Sequence, residues 1–117
     1  MIRVRAVLDG AGCLSSVSVT GHAAPERGSS AGNVVCAAVT GLVRSCADAI
    51  ARRPSIAACG TAPDPGELRV EILSRDTDGG WLRGVTDVML GGIERIAREA
   101  PDEVELTVER TGVDHGA

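Results

Sequence analysis

The chain has 117 residues, enough for one domain that buries a hydrophobic core without disulfides or metal, so we expect a single domain over residues 1–117. Its formal net charge is −4 and all 12 of its basic residues are arginine, which excludes lysine chemistry such as Schiff-base formation. The acidic balance also argues against direct binding to the phosphate backbone of nucleic acids, which requires a basic surface.

The first predicted element is a β-hairpin. Residues 2–8 alternate between apolar and polar side chains, and Val17 and Val19 continue the alternation as far as Thr20. The intervening sequence DGAG, at residues 9–12, is typical of a turn.

A long amphipathic helix is predicted next. Apolar residues recur at spacings of three and four until Pro54 ends the pattern, and they are Val35, Val39, Leu42, Cys46 and Ile50. Asn33 is a favourable N-cap residue, so we expect the helix to begin directly after it and to run to about Arg52. The preceding residues 23–32, AAPERGSSAG, offer almost nothing to bury and are predicted to form a mobile loop.

The second half of the chain combines strands with one further helix. Residues 54–66 are predicted to form a loop with a short extended piece at 56–59, and residues 68–72 and 104–108 alternate as strands do. A second helix is predicted after the turn RDTDGG, and Pro101 ends it. The apolar residues that predict it recur at helical spacing, and they are Leu82, Val85, Met89, Ile93, Ile96 and Ala100. The order ββαβαβ predicts an α+β fold with a mainly antiparallel or mixed sheet and two helices.

The sequence shows no targeting signal. No apolar run approaches the length of a membrane span, and the start MIRVRAVLDG lacks the features of a signal peptide, so we expect a cytoplasmic protein without a membrane partner. The four cysteines should stay reduced in that compartment. Their spacing contains no C-x-x-C pair, which argues against a zinc site, and we expect neither metal nor cofactor.

One cysteine and one histidine are candidates for chemistry. Cys36 falls in the first turn of the predicted helix, where unpaired backbone N–H groups and the positive end of the helix dipole favour a thiolate. His22, at the end of a predicted strand, is the only histidine outside the C-terminal tail. Glycines at positions 21, 28 and 32 allow the connection to bring His22 to Cys36, where it could act as a general base.

Simple packing is the alternative for both residues, and the pattern alone leaves it open. Free cysteine is among the most buried residue types, and a histidine that ends a strand is commonly structural. Cys46 is expected in the core, while Cys13 and Cys59 are interpreted as packing or surface thiols. His115 lies in a terminal segment that we expect to be frayed.

Two motifs resemble those of a known family. The sequence GHA at residues 21–23 and the run VVCAAVTGL at residues 34–42, separated by a glycine-rich interval, resemble the signature of the ribosomal-processing cysteine proteases, the Prp family. In that family, G-H-A and I/V-V-C-A-A-V-S motifs supply a His/Cys dyad. The segments MIRVRAVLDGAG, VMLGGIERIAREAP and EVELTVER also fall where the family has similar ones, so the resemblance covers most of the chain.

The resemblance implies a cytoplasmic, homodimeric cysteine endopeptidase with a single protease-like domain. Its substrate would be a large-subunit ribosomal protein precursor, from which it removes a short N-terminal extension. By match to the motifs, Cys36 would be the nucleophile and His22 the general base, later the general acid. The supporting residues would be Gly21, Asn33 and Thr40.

Two of these positions depart from the family pattern. Asn33 stands where the family usually has Asp, and Thr40 replaces the usual Ser one helical turn after Cys36. The connection between the motifs is slightly longer than usual and is the expected substrate loop, with contacts from Glu26, Arg27 and Gly28.

A second class of function stays open, namely a dimeric module that binds a ribosomal protein or assembly factor without cutting it. A redox thiol protein is disfavoured because no resolving cysteine lies near Cys36. The core contains almost no aromatic residues, and the two amphipathic helices leave apolar surface, which also favours a homodimer.

Overall fold

The computed structural model describes residues 1–21, 30–62 and 67–112, with residues 30–33 described by their backbone alone. The described part of the chain forms five strands and two helices. In chain order these are β1 (Ile2–Leu8), β2 (Leu14–Thr20), α1 (Ser30–Ala51), β3 (Ile56–Thr61), β4 (Leu68–Arg75), α2 (Gly79–Glu99) and β5 (Val104–Arg110).

The strands form one mixed sheet in the order β3-β4-β2-β1-β5. β1 and β2 are the predicted antiparallel hairpin, β4 pairs antiparallel with both β2 and β3, and β5 lies parallel to β1. This confirms the predicted α+β class with its mixed sheet and two helices.

The element order differs from ββαβαβ by one strand. The short piece predicted at residues 56–59 is a full strand, β3, which pairs with β4 over its whole length. Only Ile56 in β3 is buried, and the other residues are small or polar and exposed. Without apolar alternation, β3 carries no strand signal of its own, and its pairing with β4 determines its conformation.

The core lies between one face of the sheet and both helices. In β1 the even-numbered residues 2–8 are at most 4% exposed, whereas Arg3 and Arg5 lie on the opposite, open face. There Arg5 forms a two-point ion pair with Glu109 of β5, at 2.9 and 3.0 Å. The helices contribute to the same core cluster through Val39, Val43, Cys46 and Ile50 of α1 and Leu82, Met89 and Ile93 of α2.

Helix α1 begins earlier than the sequence predicted. Its first residue is Ser30, so Asn33 lies inside the helix and not at its N-cap, and residues 30–32 of the predicted loop are helical. Ser is about as favourable as Asn at an N-cap, and the sequence has serines at positions 29 and 30, so residue preference alone does not decide where the helix begins. The predicted helix end near Arg52 is confirmed by the last helical residue, Ala51.

Contrary to the sequence prediction, α1 contains a stretch, Val34–Ala51, that is long and apolar enough to cross a membrane. Its mean hydropathy is 1.6. Of this stretch 22% is buried, including Val39, Val43 and Ile50. One such helix is weak evidence for a membrane span, since the core helix of a folded domain passes the same test.

A buried polar cluster joins the β1–β2 turn to β4 and α2. The carboxylate of Asp9 accepts hydrogen bonds from the backbone N–H groups of Ala11 and Cys13, at 2.9 and 3.0 Å. Arg75, at the end of β4, donates to the Cys13 sulfur at 2.8 Å and lies 3.9 Å from the Asp9 carboxylate. The Cys13 thiol in turn donates to the backbone carbonyl of Gly79, the first residue of α2, at 3.3 Å.

Candidate active site

A cavity of about 190 Å³ opens between α1 and one end of the sheet. The helix contributes Cys36, Thr40 and Arg44, which are spaced four residues apart and therefore share one face of α1. The sheet contributes Val19, Gly21, Glu67 and Leu68. Cys36 is half-buried, so its thiol lies at the wall of a space that a small part of a ligand could enter.

The sheet side of this cavity is built by the pairing of β2 with β4. The two strands are antiparallel and Val19 lies opposite Leu68, so the end of β2 and the beginning of β4 occupy the same end of the sheet. Glu67 directly precedes β4 and lies at that end as well.

Gly21 fixes the course of the chain as it leaves β2. Its φ is +84°, and a Cβ atom there would collide with the carbonyl oxygen of Met1. Glycine is therefore required at this position. The residue that follows in the chain is His22, so the last described residue before the predicted base lies in the same cavity wall as Cys36.

A second cavity, of about 480 Å³, adjoins the first. The two share Val19, Glu67 and Leu68 as lining residues, so they lie next to each other at the same end of the sheet. The second cavity reaches Thr61, at the end of β3, and its other lining residues are Ser18, Thr20 and Arg69.

Three of the residues predicted for the site lie together in the Cys36 cavity: Cys36, Thr40 and Gly21. The predicted base His22 and the predicted substrate contacts Glu26, Arg27 and Gly28 lie outside the described residues, as does most of the predicted mobile loop. Asn33 is described by its backbone alone, inside α1.

The predicted position of Cys36 in the first helical turn is wrong. Because α1 begins at Ser30, Cys36 lies in its second turn. Only the first four N–H groups of a helix lack an intrahelical partner, so the N–H of Cys36 is not among them. The unpaired groups of the helix start are therefore farther from the thiol than the sequence suggested.

Two charged residues that line the cavity, Arg44 and Glu67, were not predicted from the sequence. Arg44 follows Cys36 by two helical turns, so the helical spacing could have identified it. Glu67 carries no such signal, because its place beside Cys36 depends on the pairing of β2 with β4.

The other thiols have different surroundings. Cys46 is buried in the core, and desolvation raises its pKa to about 11. Cys13 is buried against Arg75, and Cys59 is exposed on β3. Within residues 1–21, 30–62 and 67–112, no three His, Cys, Asp or Glu side chains come together as metal ligands would.

Comparison with known proteins identifies the family. The family model described as cysteine protease Prp matches residues 1–105. The chain belongs to the cysteine protease Prp family. This confirms the resemblance seen in the GHA and VVCAAVTGL motifs, and it makes the chain a member of a family of cysteine peptidases. Comparison with curated protein sequences gives no match.

Three solved structures have the same fold as this chain. The protein SMU.848 from Streptococcus mutans is 24% identical, with a TM-score of 0.77 over 95% of this chain and 96% of that one. The ribosomal processing protease Prp from S. aureus, in complex with a substrate peptide, is 21% identical, with a TM-score of 0.76 over 93% of this chain and all of that one. The same S. aureus protease has also been solved with a covalently linked product peptide, at a TM-score of 0.74.

Proposed function

We propose that this protein is a cysteine endopeptidase in which Cys36 is the nucleophile and His22 the general base. One observation carries the proposal: Cys36 lines an open cavity together with Gly21, the residue that directly precedes His22. A thiol nucleophile needs a base within reach and space for a scissile carbonyl beside the sulfur. The cavity supplies the space, and Gly21 in its wall directly precedes His22 in the chain.

The reaction follows the general course of thiol proteases. His22 takes the proton of the Cys36 thiol, and the thiolate attacks the scissile carbonyl to form a tetrahedral intermediate. His22 then donates that proton to the leaving amine, and water hydrolyses the acyl-enzyme. Thr40, one helical turn from Cys36 in the same cavity, is the hydroxyl donor that we assign to the developing oxyanion.

The substrate that we propose is the precursor of a large-subunit ribosomal protein, from which the enzyme removes an N-terminal extension in the cytoplasm. Support comes from the family membership and from the S. aureus relative, a ribosomal processing protease solved with a substrate peptide. The acidic net charge of −4 fits a basic protein substrate better than nucleic acid.

Cleavage of the precursor tests this proposal. The purified protein is incubated with the ribosomal protein encoded in the same genome, and the products are measured by mass spectrometry. We expect one cut that removes the extension, loss of the cut in Cys36→Ser and His22→Ala, and normal cleavage by Thr107→Ser, which alters an exposed hydroxyl of β5 outside both cavities. Tight binding of the precursor without cleavage would favour the non-catalytic binding module instead.

We also propose that the protein is a homodimer formed through its two helices. An apolar groove of about 530 Å³ runs between α1 and α2, and none of the described residues that line it is charged. Val88 protrudes there with 72% of its surface exposed, while Gly80 and Gly84 leave open space where side chains would stand. A second copy of the chain fits this surface, because the Val88 side chain of each copy could fill the space beside Gly80 and Gly84 of the other.

A further inference from the structure

The two edges of the sheet are built differently. In the part of the chain that the structure describes, β3 and β5 are the outermost strands, each with one side that pairs with no other strand. An unpaired edge presents a row of backbone N–H and C=O groups to any extended chain, and proteins usually guard it with charged residues or proline.

The β5 edge carries that protection and the β3 edge does not. β5 has the sequence VELTVER, with exposed charges at Glu105, Glu109 and Arg110. β3 has the sequence IAACGT, with neither charge nor proline, and residues 57–61 are exposed. Its pairing with β4 shifts register between Ala57 and Ala58, so residues 58–61 form its regular stretch. These small side chains leave the backbone edge accessible to another chain.

The unguarded edge leads into the candidate active site. Thr61, the last residue of β3, lines the cavity of about 480 Å³ that adjoins the Cys36 cavity. That cavity shares Glu67 and Leu68 with the cavity around Cys36. A peptide that extends from Cys36 across these shared residues would reach Thr61, where the unpaired backbone edge of β3 ends.

We propose that the β3 edge binds the substrate as an added β-strand, so that the main chain of an extended, uncharged segment pairs with residues 58–61 while its scissile bond lies at Cys36. This inference rests on the proposed peptidase function and states how the substrate is held. Main-chain pairing supplies affinity with little demand on side chains, because an added strand bonds through its backbone. The small residues of β3 leave room for larger peptide side chains above and below the sheet.

Backbone methylation of the substrate tests the pairing without changing the protein. A synthetic peptide that spans the extension junction is methylated at one amide nitrogen at a time, at positions four or more residues from the scissile bond. Only alternate N–H groups of an added strand point at its partner, so we expect kcat/KM to fall about tenfold at every second position on one side of the bond. Equal effects at consecutive positions, or none at all, would overturn the inference.

Matched variants at the two edges provide a second test. Ala58→Lys places a charge on the exposed β3 edge, and Thr107→Lys places the same charge on the exposed β5 edge. We expect Ala58→Lys to raise KM several-fold with kcat and Cys36 alkylation unchanged, and Thr107→Lys to leave KM unchanged. Equal KM values for the two variants would contradict β3 pairing.

The two proposals fail in different ways. If the unmodified peptide is not cleaved, the peptidase function falls and the strand addition falls with it. If it is cleaved but its methylated forms show no alternation, only the strand addition falls.

Discussion

Cys36 and Cys59 are the two thiols that solvent reaches, and they form a natural comparison. Cys36 lines the cavity beside Gly21 and Thr40, whereas Cys59 lies exposed on β3. If His22 activates Cys36, an alkylating reagent near pH 6 should label Cys36 well before Cys59, since only a paired thiol forms thiolate there. Peptide mapping after a short exposure measures both rates.

The two buried thiols serve as internal controls in that experiment. Cys46 should stay unlabelled, since burial raises its pKa to about 11 and keeps it in the thiol form at lower pH. Cys13 is 1% exposed and should also stay unlabelled in the folded protein. Equal labelling of Cys36 and Cys59 would contradict an activated nucleophile.

Gly21 is expected to matter for both stability and activity. In Gly21→Ala, the added Cβ meets the Met1 carbonyl, and a non-glycine residue at φ +84° is strained, so we expect a loss of about 1–3 kcal/mol in the free energy of unfolding. Peptidase activity should fall with it, because position 21 directly precedes the proposed base His22. The control is Gly41→Ala in α1, where the added Cβ meets no atom within 4 Å. Because alanine favours a helix more than glycine does, this variant should have a slightly higher free energy of unfolding.

Urea denaturation and peptide cleavage measure the two effects. Unchanged stability and activity in Gly21→Ala would show that the end of β2 tolerates another backbone path.

These features of single residues were only partly predictable from the sequence. The cysteine and its helical neighbour Thr40 follow from sequence spacing, but the need for glycine at position 21 arises from contact with Met1, a residue distant in the chain.

Among the elements, β4 and α2 depend on one buried arginine. The Arg75 side chain is 9% exposed and lies between the Asp9 carboxylate and the Cys13 sulfur. Arg75→Ala would leave the buried charge of Asp9 without its partner and should cost about 3 kcal/mol in the free energy of unfolding. Chemical denaturation measures the loss.

The matched control for this prediction is Arg69→Ala. Arg69 pairs with Glu71 at 3.8 Å on the exposed face of the same strand, so its removal should change stability by less than about 1 kcal/mol. Similar losses in the two variants would show that the cluster of Asp9, Cys13 and Arg75 does not hold the turn to β4 and α2.

The element boundaries show why sequence patterns reached only part of the fold. β1, β2, β4 and β5 were predicted because apolar alternation marks each of them, whereas β3 has one buried residue and no alternation. In α2, Thr86 is fully buried although a polar residue predicts a surface position. Its hydroxyl accepts the N–H of Leu14 at 3.1 Å and donates to the Leu82 carbonyl at 2.7 Å, a pairing that only the packed sheet creates.

For the molecule as a whole, the layered arrangement separates three surfaces. The open face of the sheet carries exposed ion pairs, the end of β2 and β4 carries the Cys36 cavity, and the far side of the helices carries the apolar groove. The apolar periodicity of the sequence predicted which face of each helix is apolar. It did not predict the groove that the packing of α1 against α2 leaves between them. A dimer formed across the helices would leave both the cavity and the β3 edge open to a peptide.

A substitution at Val88 tests whether the dimer forms through the apolar groove between α1 and α2. Val88→Glu places a charge on the protruding residue, and its desolvation in the interface should dissociate the dimer. Sedimentation equilibrium at micromolar concentration should give twice the monomer mass of 12.0 kDa for the wild type and the monomer mass for Val88→Glu. Val108→Glu, a change at an exposed valine of β5 outside the groove, should remain dimeric. A wild-type mass of 12.0 kDa would contradict the dimer, and equal dissociation of both variants would place the interface elsewhere.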